Sequence, residues 1–155
     1  NQVFHAQLAD TGEGPFLRTG DLGFVRGREL FVTGRIKDLI IIDGQNYYPQ
    51  DVELTVEKAH AAIRPGSVIA FSVEQDSGEK LIVVAEAKGI DGDRAALRAV
   101  LSAVRTAVAQ THDLRAHKVC LIQPRTIART SSGKLQRHAC KRDYLNEMLD
   151  TVVIG

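Results

Sequence analysis

Four short stretches combine residue types that can do chemistry. In Arg18-Thr19-Gly20-Asp21 a carboxylate follows a glycine where a strand begins, so it can accept two hydrogen bonds from a vicinal diol such as ribose. An Asp that caps its own turn has the same local sequence. In Gly34-Arg35-Ile36-Lys37-Asp38 three charges separate a strand from an Ile-rich run. Such a boundary suits a hinge, where a few residues absorb a backbone rotation; a solvated turn is the simpler alternative. Asp43-Gly44-Gln45-Asn46-Tyr47-Tyr48-Pro49 sets two of the three tyrosines beside Gly44, which permits positive φ and close approach by another group. A plain hairpin turn also accounts for it. Thr130-Ser131-Ser132-Gly133-Lys134 invites a phosphate-loop reading and fails it. Ala128 stands where the pattern needs Gly, and Leu135 where it needs Ser or Thr. What survives is a Lys on a hydroxyl-rich loop, able to meet an anion as a point charge, or else a surface Lys with no task.

The elements that must hold these residues belong to a chain of 155 residues, enough for one domain or a small domain plus part of another. Apolar residues make up 44% and charged residues 25%, the balance of a globular protein. No aliphatic run approaches the roughly 20 residues that span a bilayer, so no membrane span is expected. The first residues carry neither a basic flank nor an apolar stretch, and there is no initiator Met, so the chain is expected to begin inside a longer protein. Cys120 and Cys140 cannot build a disulfide framework, and no Cys/His cluster has metal-ligand spacing, so no metal site is expected. That usage suggests a reducing, cytoplasmic setting, with cysteine packing as a small apolar residue. A net charge of +1 suggests no polyanion partner. Locally, eight basic residues between Thr111 and Arg142 face only Asp113. This is a solvated basic face or a surface for phosphates or an acidic partner.

Leu22 to Val25 and Glu29 to Thr33 read as a hairpin around Arg26-Gly27, and Leu39 to Ile42 opens a second one turning at Asp43-Gly44. Pro49 suits the first turn of a helix, which Val52, Val56, Ala59 and Ile63 continue on one stripe until Arg64-Pro65-Gly66 stops it. Ser67 to Val73 and Lys80 to Ala87 should pair antiparallel across the turn Glu74 to Glu79. Asp91 or Asp93 can cap a long helix with the stripe Leu97, Val100, Leu101, Val104 and Val108. His117 to Gln123 is a further strand, with Val119, Leu121 and in one reading Cys120 facing the core. A last helix covers about Arg137 to Leu149. Helices packed on one small, mostly antiparallel sheet make an α+β domain.

Taken in order and at these separations, the strings LRTGDLG (17–23), GRIKDLIIIDGQNYYPQDVE (34–53) and RTSSGKLQR (129–137) resemble the closing motifs of the acyl-adenylate-forming enzymes. These comprise acyl-CoA synthetases, peptide-synthetase adenylation domains and luciferases, and the resemblance runs over residues 16–142. The middle string and the ending Arg137-His138-Ala139-Cys140 look most like the fatty acyl-AMP ligases. The resemblance implies that residues 1–36 are the edge of a large adenylation domain and 37–155 its mobile C-terminal subdomain. The complete enzyme would join a fatty acid to ATP, release pyrophosphate, and pass the acyl group to the phosphopantetheine thiol of an acyl carrier protein of a polyketide or peptide synthase. Asp21 would hold the ribose hydroxyls, Arg35 would lie near ribose and phosphate, and Lys37 matches the hinge. Gly44 would approach the site in the thioester-forming step, and Lys134 would neutralise charge during adenylation. Magnesium would be bound by the large domain, and the fragment alone would be inactive. An acyl-CoA ligase, using CoA as acceptor, is the alternative. A stand-alone RNA-binding module fits poorly, because the strands show almost no aromatics for stacking bases, so no nucleic-acid partner is expected.

Overall fold

A computed structural model describes residues 3–75, 78–89 and 93–154. The chain divides into two compact units, 1–39 and 40–155.

The first unit is built on a hairpin of β1 (Asp21–Arg26) and β2 (Glu29–Arg35), paired antiparallel with Asp21 opposite Arg35. Arg26 faces Glu29, so the turn is Gly27-Arg28, one residue later than the sequence suggests. Phe24 and Phe31 face each other across the strands and stack with centroids 5.1 Å apart. A single 3-10 turn, Ile36–Asp38, follows β2. None of the described residues before Ile40 is buried.

In the second unit β3 (Ile40–Ile42) and β4 (Gln45–Tyr47) form the short hairpin at Asp43-Gly44. Helix α1 (Pro49–Ala59) starts at its proline and buries Val52 and Val56. It is shorter than its apolar spacing suggests. His60 turns extended and takes the Ala62 amide on Nδ1 at 3.1 Å, so Ile63 leaves the helix and opens a strand instead.

That strand, β5 (Ile63–Gln75), pairs antiparallel with β6 (Gly78–Ala87) as expected. It also runs through Pro65-Gly66, where the register breaks between Ile63 and Val68. A bulge carries the chain over residues that read as a stop signal. The turn expected at Glu74 to Glu79 lies partly outside the described residues. Asp93 caps α2 (Arg94–His112), accepting from the amides of Ala95 at 2.9 Å and Ala96 at 3.0 Å; Asp91 lies outside the described residues. All five residues of the predicted stripe are buried. The helix crosses over to β7 (Ala116–Ile122), which joins β6 in parallel.

Helix α3 spans Arg137–Leu145, four residues short of the expected Leu149. Glu147 adopts φ 56°, and the Met148 amide turns back to the Asp143 carbonyl at 2.8 Å, which ends the helix. A strand the sequence reading missed follows, β8 (Thr151–Ile154), antiparallel to β7. The main sheet is thus ordered β5-β6-β7-β8 with one parallel pairing.

Both faces of this sheet are covered. Val68, Ala70, Val83, Val119 and Leu121 pack with the stripes of α1 and α2 and with Ile40 and Ile42. Ile69, Phe71, Ile82, Val84, Cys120 and Ile122 form a second cluster with Cys140 of α3. Alternate residues of the strands are therefore buried in opposite directions, as a two-sided sheet requires. Burial pushes the Cys120 thiol up to about 11 and the Cys140 thiol up to about 12. Both stay protonated near neutrality and act as apolar filling.

Candidate functional site

In the first unit, the β1–β2 register sets Asp21 across from Arg35, and Arg35 Nε donates to Asp21 Oδ1 at 3.1 Å. Asp21 is held from below as well, its amide donating to Thr19 Oγ1 at 3.2 Å. Both ends of this ion pair remain in solvent, with side chains 36% and 56% exposed. A carboxylate fixed by one guanidinium bond still has an oxygen free for a diol. Lys37 is exposed within the 3-10 turn, two residues before the division between the units.

In the second unit, Gly44 sits at the tip of the β3–β4 hairpin. Asp43 at φ 51° and Gly44 at φ 77° give positive φ at both central positions, the geometry that an Asp-Gly pair favours. A Cβ at Gly44 would meet nothing within 4 Å, so the glycine answers to backbone conformation rather than crowding.

Lys134 lies on the loop between β7 and α3, and the loop is tied down atom by atom. Its amide donates to Thr130 Oγ1 at 3.1 Å, and its carbonyl accepts from the Thr130 amide at 2.9 Å. The preceding carbonyl, that of Gly133, accepts from Arg129 Nη1 at 3.0 Å. The same guanidinium reaches the β5 bulge, donating through Nη2 to the Gly66 carbonyl at 2.6 Å and to Ser67 Oγ at 3.0 Å. Gly66 is in turn fixed from the helix side, its amide donating to Glu57 Oε1 at 2.9 Å. The amide and the carbonyl of Lys134 are both engaged while its side chain is exposed.

Two buried carboxylates hold the ends of this loop, and sequence reasoning missed both. Glu86 on β6 accepts from the Ile127 amide at 3.0 Å and from Arg64 Nη1 at 2.6 Å. Burial pushes its carboxyl up, but the amides of Arg125 and Ile127 and the Arg64 guanidinium outweigh burial and hold it below the ordinary carboxylate value. Glu53 on α1 accepts Arg137 Nη2 on both oxygens, at 2.8 Å on Oε1 and 3.0 Å on Oε2, and Nε on Oε1 at 3.2 Å, and also accepts the Ala70 amide at 2.9 Å. The only sequence signal was a charge on the buried face of each element: Glu53 follows Val52 on α1, and Glu86 sits among the aliphatic residues of β6. These contacts also trim the basic stretch. Arg129 and Arg137 are committed to the fold and Arg142 pairs with Asp143 at 2.8 Å, so the stretch is no continuous free basic face.

Among the described residues no group of three or more His, Cys, Asp or Glu side chains could hold a metal ion. Among the described residues no helix is long and apolar enough to cross a membrane. The histidines seen in the sequence serve the scaffold where they are engaged, as in His112 Nε2 against Thr55 Oγ1 at 2.8 Å, which ties α1 to α2.

Comparison with known proteins agrees with the arrangement. The chain is 50% identical over 149 residues to the medium-chain-fatty-acid–[acyl-carrier-protein] ligase JamA of Moorena producens, covering 96% of this chain and 25% of that protein. It is 41% identical over 154 residues to the long-chain-fatty-acid–AMP ligase FadD26 of Mycobacterium tuberculosis, covering 94% of this chain and 26% of that one. Among solved structures, a fatty acyl-adenylate ligase from work on the E. coli and L. pneumophila enzymes superposes with a TM-score of 0.74 at 37% identity, over 90% of this chain and 24% of that one. The chain thus spans about a quarter of the length of the curated relatives it matches. The family model described as Disco-interacting protein 2-like, AMP domain, matches residues 37–153, and the chain belongs to that family of adenylate-forming proteins.

Proposed function

We propose that this chain is the C-terminal part of a fatty acyl-AMP ligase, with residues 1–36 belonging to the large adenylation domain and 37–155 to the small mobile subdomain. The complete enzyme activates a fatty acid with ATP, releases pyrophosphate, and transfers the acyl group to the phosphopantetheine of an acyl carrier protein in the cytoplasm. The observation that carries this reading is the 50% identity, across almost the whole chain, with a ligase named for its acyl-carrier-protein acceptor.

Asp21 accepts from the ribose hydroxyls of ATP, and Arg35 orients that carboxylate while facing the ribose and phosphate. Lys37 is the hinge of the small subdomain, and Gly44 approaches in the thioester-forming step. Lys134 brings a single cation to the reacting carboxylate and α-phosphate, the kind of preorganised charge that lowers a barrier most when its scaffold is already fixed. Any magnesium that accompanies ATP is held by the large domain of the complete enzyme.

The test is a separation of half-reactions in the complete ligase. Lys134→Ala should slow pyrophosphate release about 10²–10³-fold and largely spare transfer from preformed acyl-adenylate. With the wild-type enzyme, acyl transfer should occur to a carrier protein and not to CoA. Normal pyrophosphate release by the mutant would remove Lys134 from the reaction; efficient acyl-CoA formation would make the enzyme an acyl-CoA ligase.

A further inference from the structure

We infer that Arg129 is a positioning residue for Lys134, acting as a clamp between the catalytic loop and the β5 bulge; this rests on the adenylation role proposed for Lys134. The guanidinium has a rigid end and a working end. On the rigid side it binds the Gly66 carbonyl and the hydroxyl of Ser67, and Ser67 is fully buried. The amide of the same residue, Gly66, donates to Glu57 of α1, so the clamp is founded on the helix as well as the strand. On the working side it binds the Gly133 carbonyl, the peptide group that immediately precedes Lys134.

This placement controls direction. Gly133 has φ 82°, a region open to glycine at little cost, so the peptide before Lys134 has no steric reason to keep one orientation. A lysine side chain adds further freedom. A reacting group misplaced by about 1 Å can lose about 10²-fold in rate. Arg129 and Thr130 together remove the backbone part of that freedom, one holding the carbonyl and the other the amide of the same peptide group. Lysine at position 129 could not replace it, because three acceptors on two separate segments require the planar fork of a guanidinium.

The experiment uses the complete ligase with Arg129→Met, Lys134→Ala and the double variant, following pyrophosphate release and acyl transfer from preformed acyl-adenylate. Arg129→Met should lower kcat for adenylation about 10- to 100-fold, leave KM for the fatty acid within about twofold, and leave transfer near normal. The double variant should be no slower than Lys134→Ala alone, since a clamp has nothing to position once the ammonium is gone. Should Arg129→Met fail to fold, Thr130→Val carries the same test, with a loss of about 3- to 10-fold, the worth of one neutral hydrogen bond, and again no further loss in the Lys134→Ala background. Adenylation unchanged in the clamp variants, or losses that multiply in the double variant, would overturn the clamp while leaving Lys134 in place. A Lys134→Ala enzyme that adenylates normally would overturn the functional reading and the clamp with it.

Discussion

Two Arg–carboxylate pairs, one in each unit, have the same chemistry and opposite circumstances. Arg35 meets Asp21 through one bond of 3.1 Å, across a hairpin, with side chains 56% and 36% exposed. Arg137 meets Glu53 through Nη2 on both oxygens at 2.8 and 3.0 Å and through Nε at 3.2 Å, with side chains 15% and 12% exposed, and Glu53 also carries the Ala70 amide. The first pair keeps acceptor and donor capacity for a visitor. The second has spent its capacity joining α1, β5 and α3. Exposed pairs contribute about 0–1 kcal/mol, whereas removing one partner of a buried pair costs about 3–5 kcal/mol. Within this fold, then, the weak pair is the candidate ligand contact and the strong pair is scaffold.

The sharpest break of that contrast is Glu53→Ala. It takes the Glu53 carboxylate away from a guanidinium and a strand amide in a nearly dry place, so stability in urea should fall by about 3–5 kcal/mol. A fall below about 1 kcal/mol would mean that water or another group already shares the load, and the comparison would collapse.

Glu86 should show the next effect, through pH. Its carboxyl is held below the ordinary carboxylate value in the folded chain, so its contribution is fully present above the unfolded value and is lost as pH falls through the folded one. Glu86→Gln keeps the shape and an acceptor for the Ile127 amide but loses the charge-assisted bonds. At neutral pH it should cost about 2 kcal/mol, and its deficit relative to wild type should shrink as pH is lowered through the ordinary carboxylate range and below it. Urea midpoints for the two proteins that stay parallel across that range would show that Glu86 is not held down as described.

These scaffold acids explain which part of the molecule was legible beforehand. Local signals worked: Asp93 as a cap, the Asp43-Gly44 turn, Pro49 at the start of α1, and the five-residue stripe of α2 each depend on neighbours a few positions away. The motif residues Asp21, Arg35, Lys37, Gly44 and Lys134 were visible through their strings. Glu53 was hidden because its Arg137 partner lies 84 residues away, and Glu86 because its partners Arg64, Arg125 and Ile127 approach from two separate segments. Ile63 was misplaced for a related reason. Its helical spacing was real, but pairing with Ala87 on β6 won. The strand β8 carries three pairings to β7 and no turn signal of its own, so only the tertiary context reveals it.

The smallest stability effect should accompany the most selective functional one. Arg35→Ala removes a single exposed bond, so unfolding should shift by no more than about 0.5 kcal/mol. Asp21 would keep its place through the Thr19 hydroxyl and the strand pairing of its backbone, but it would lose the guanidinium that fixes its side chain. If the pair meets the nucleotide, KM for ATP in the complete ligase should rise about tenfold, the order expected for one charge-assisted contact, while KM for the fatty acid stays put. Asp21→Asn offers the complementary case, since an amide keeps the size but gives up the charge and one acceptor oxygen to the diol. A large stability loss in Arg35→Ala would put this pair in the same class as Glu53–Arg137. An unchanged KM for ATP in both variants would leave it an ordinary cross-strand ion pair, and the division between ligand contact and scaffold would have to be drawn elsewhere.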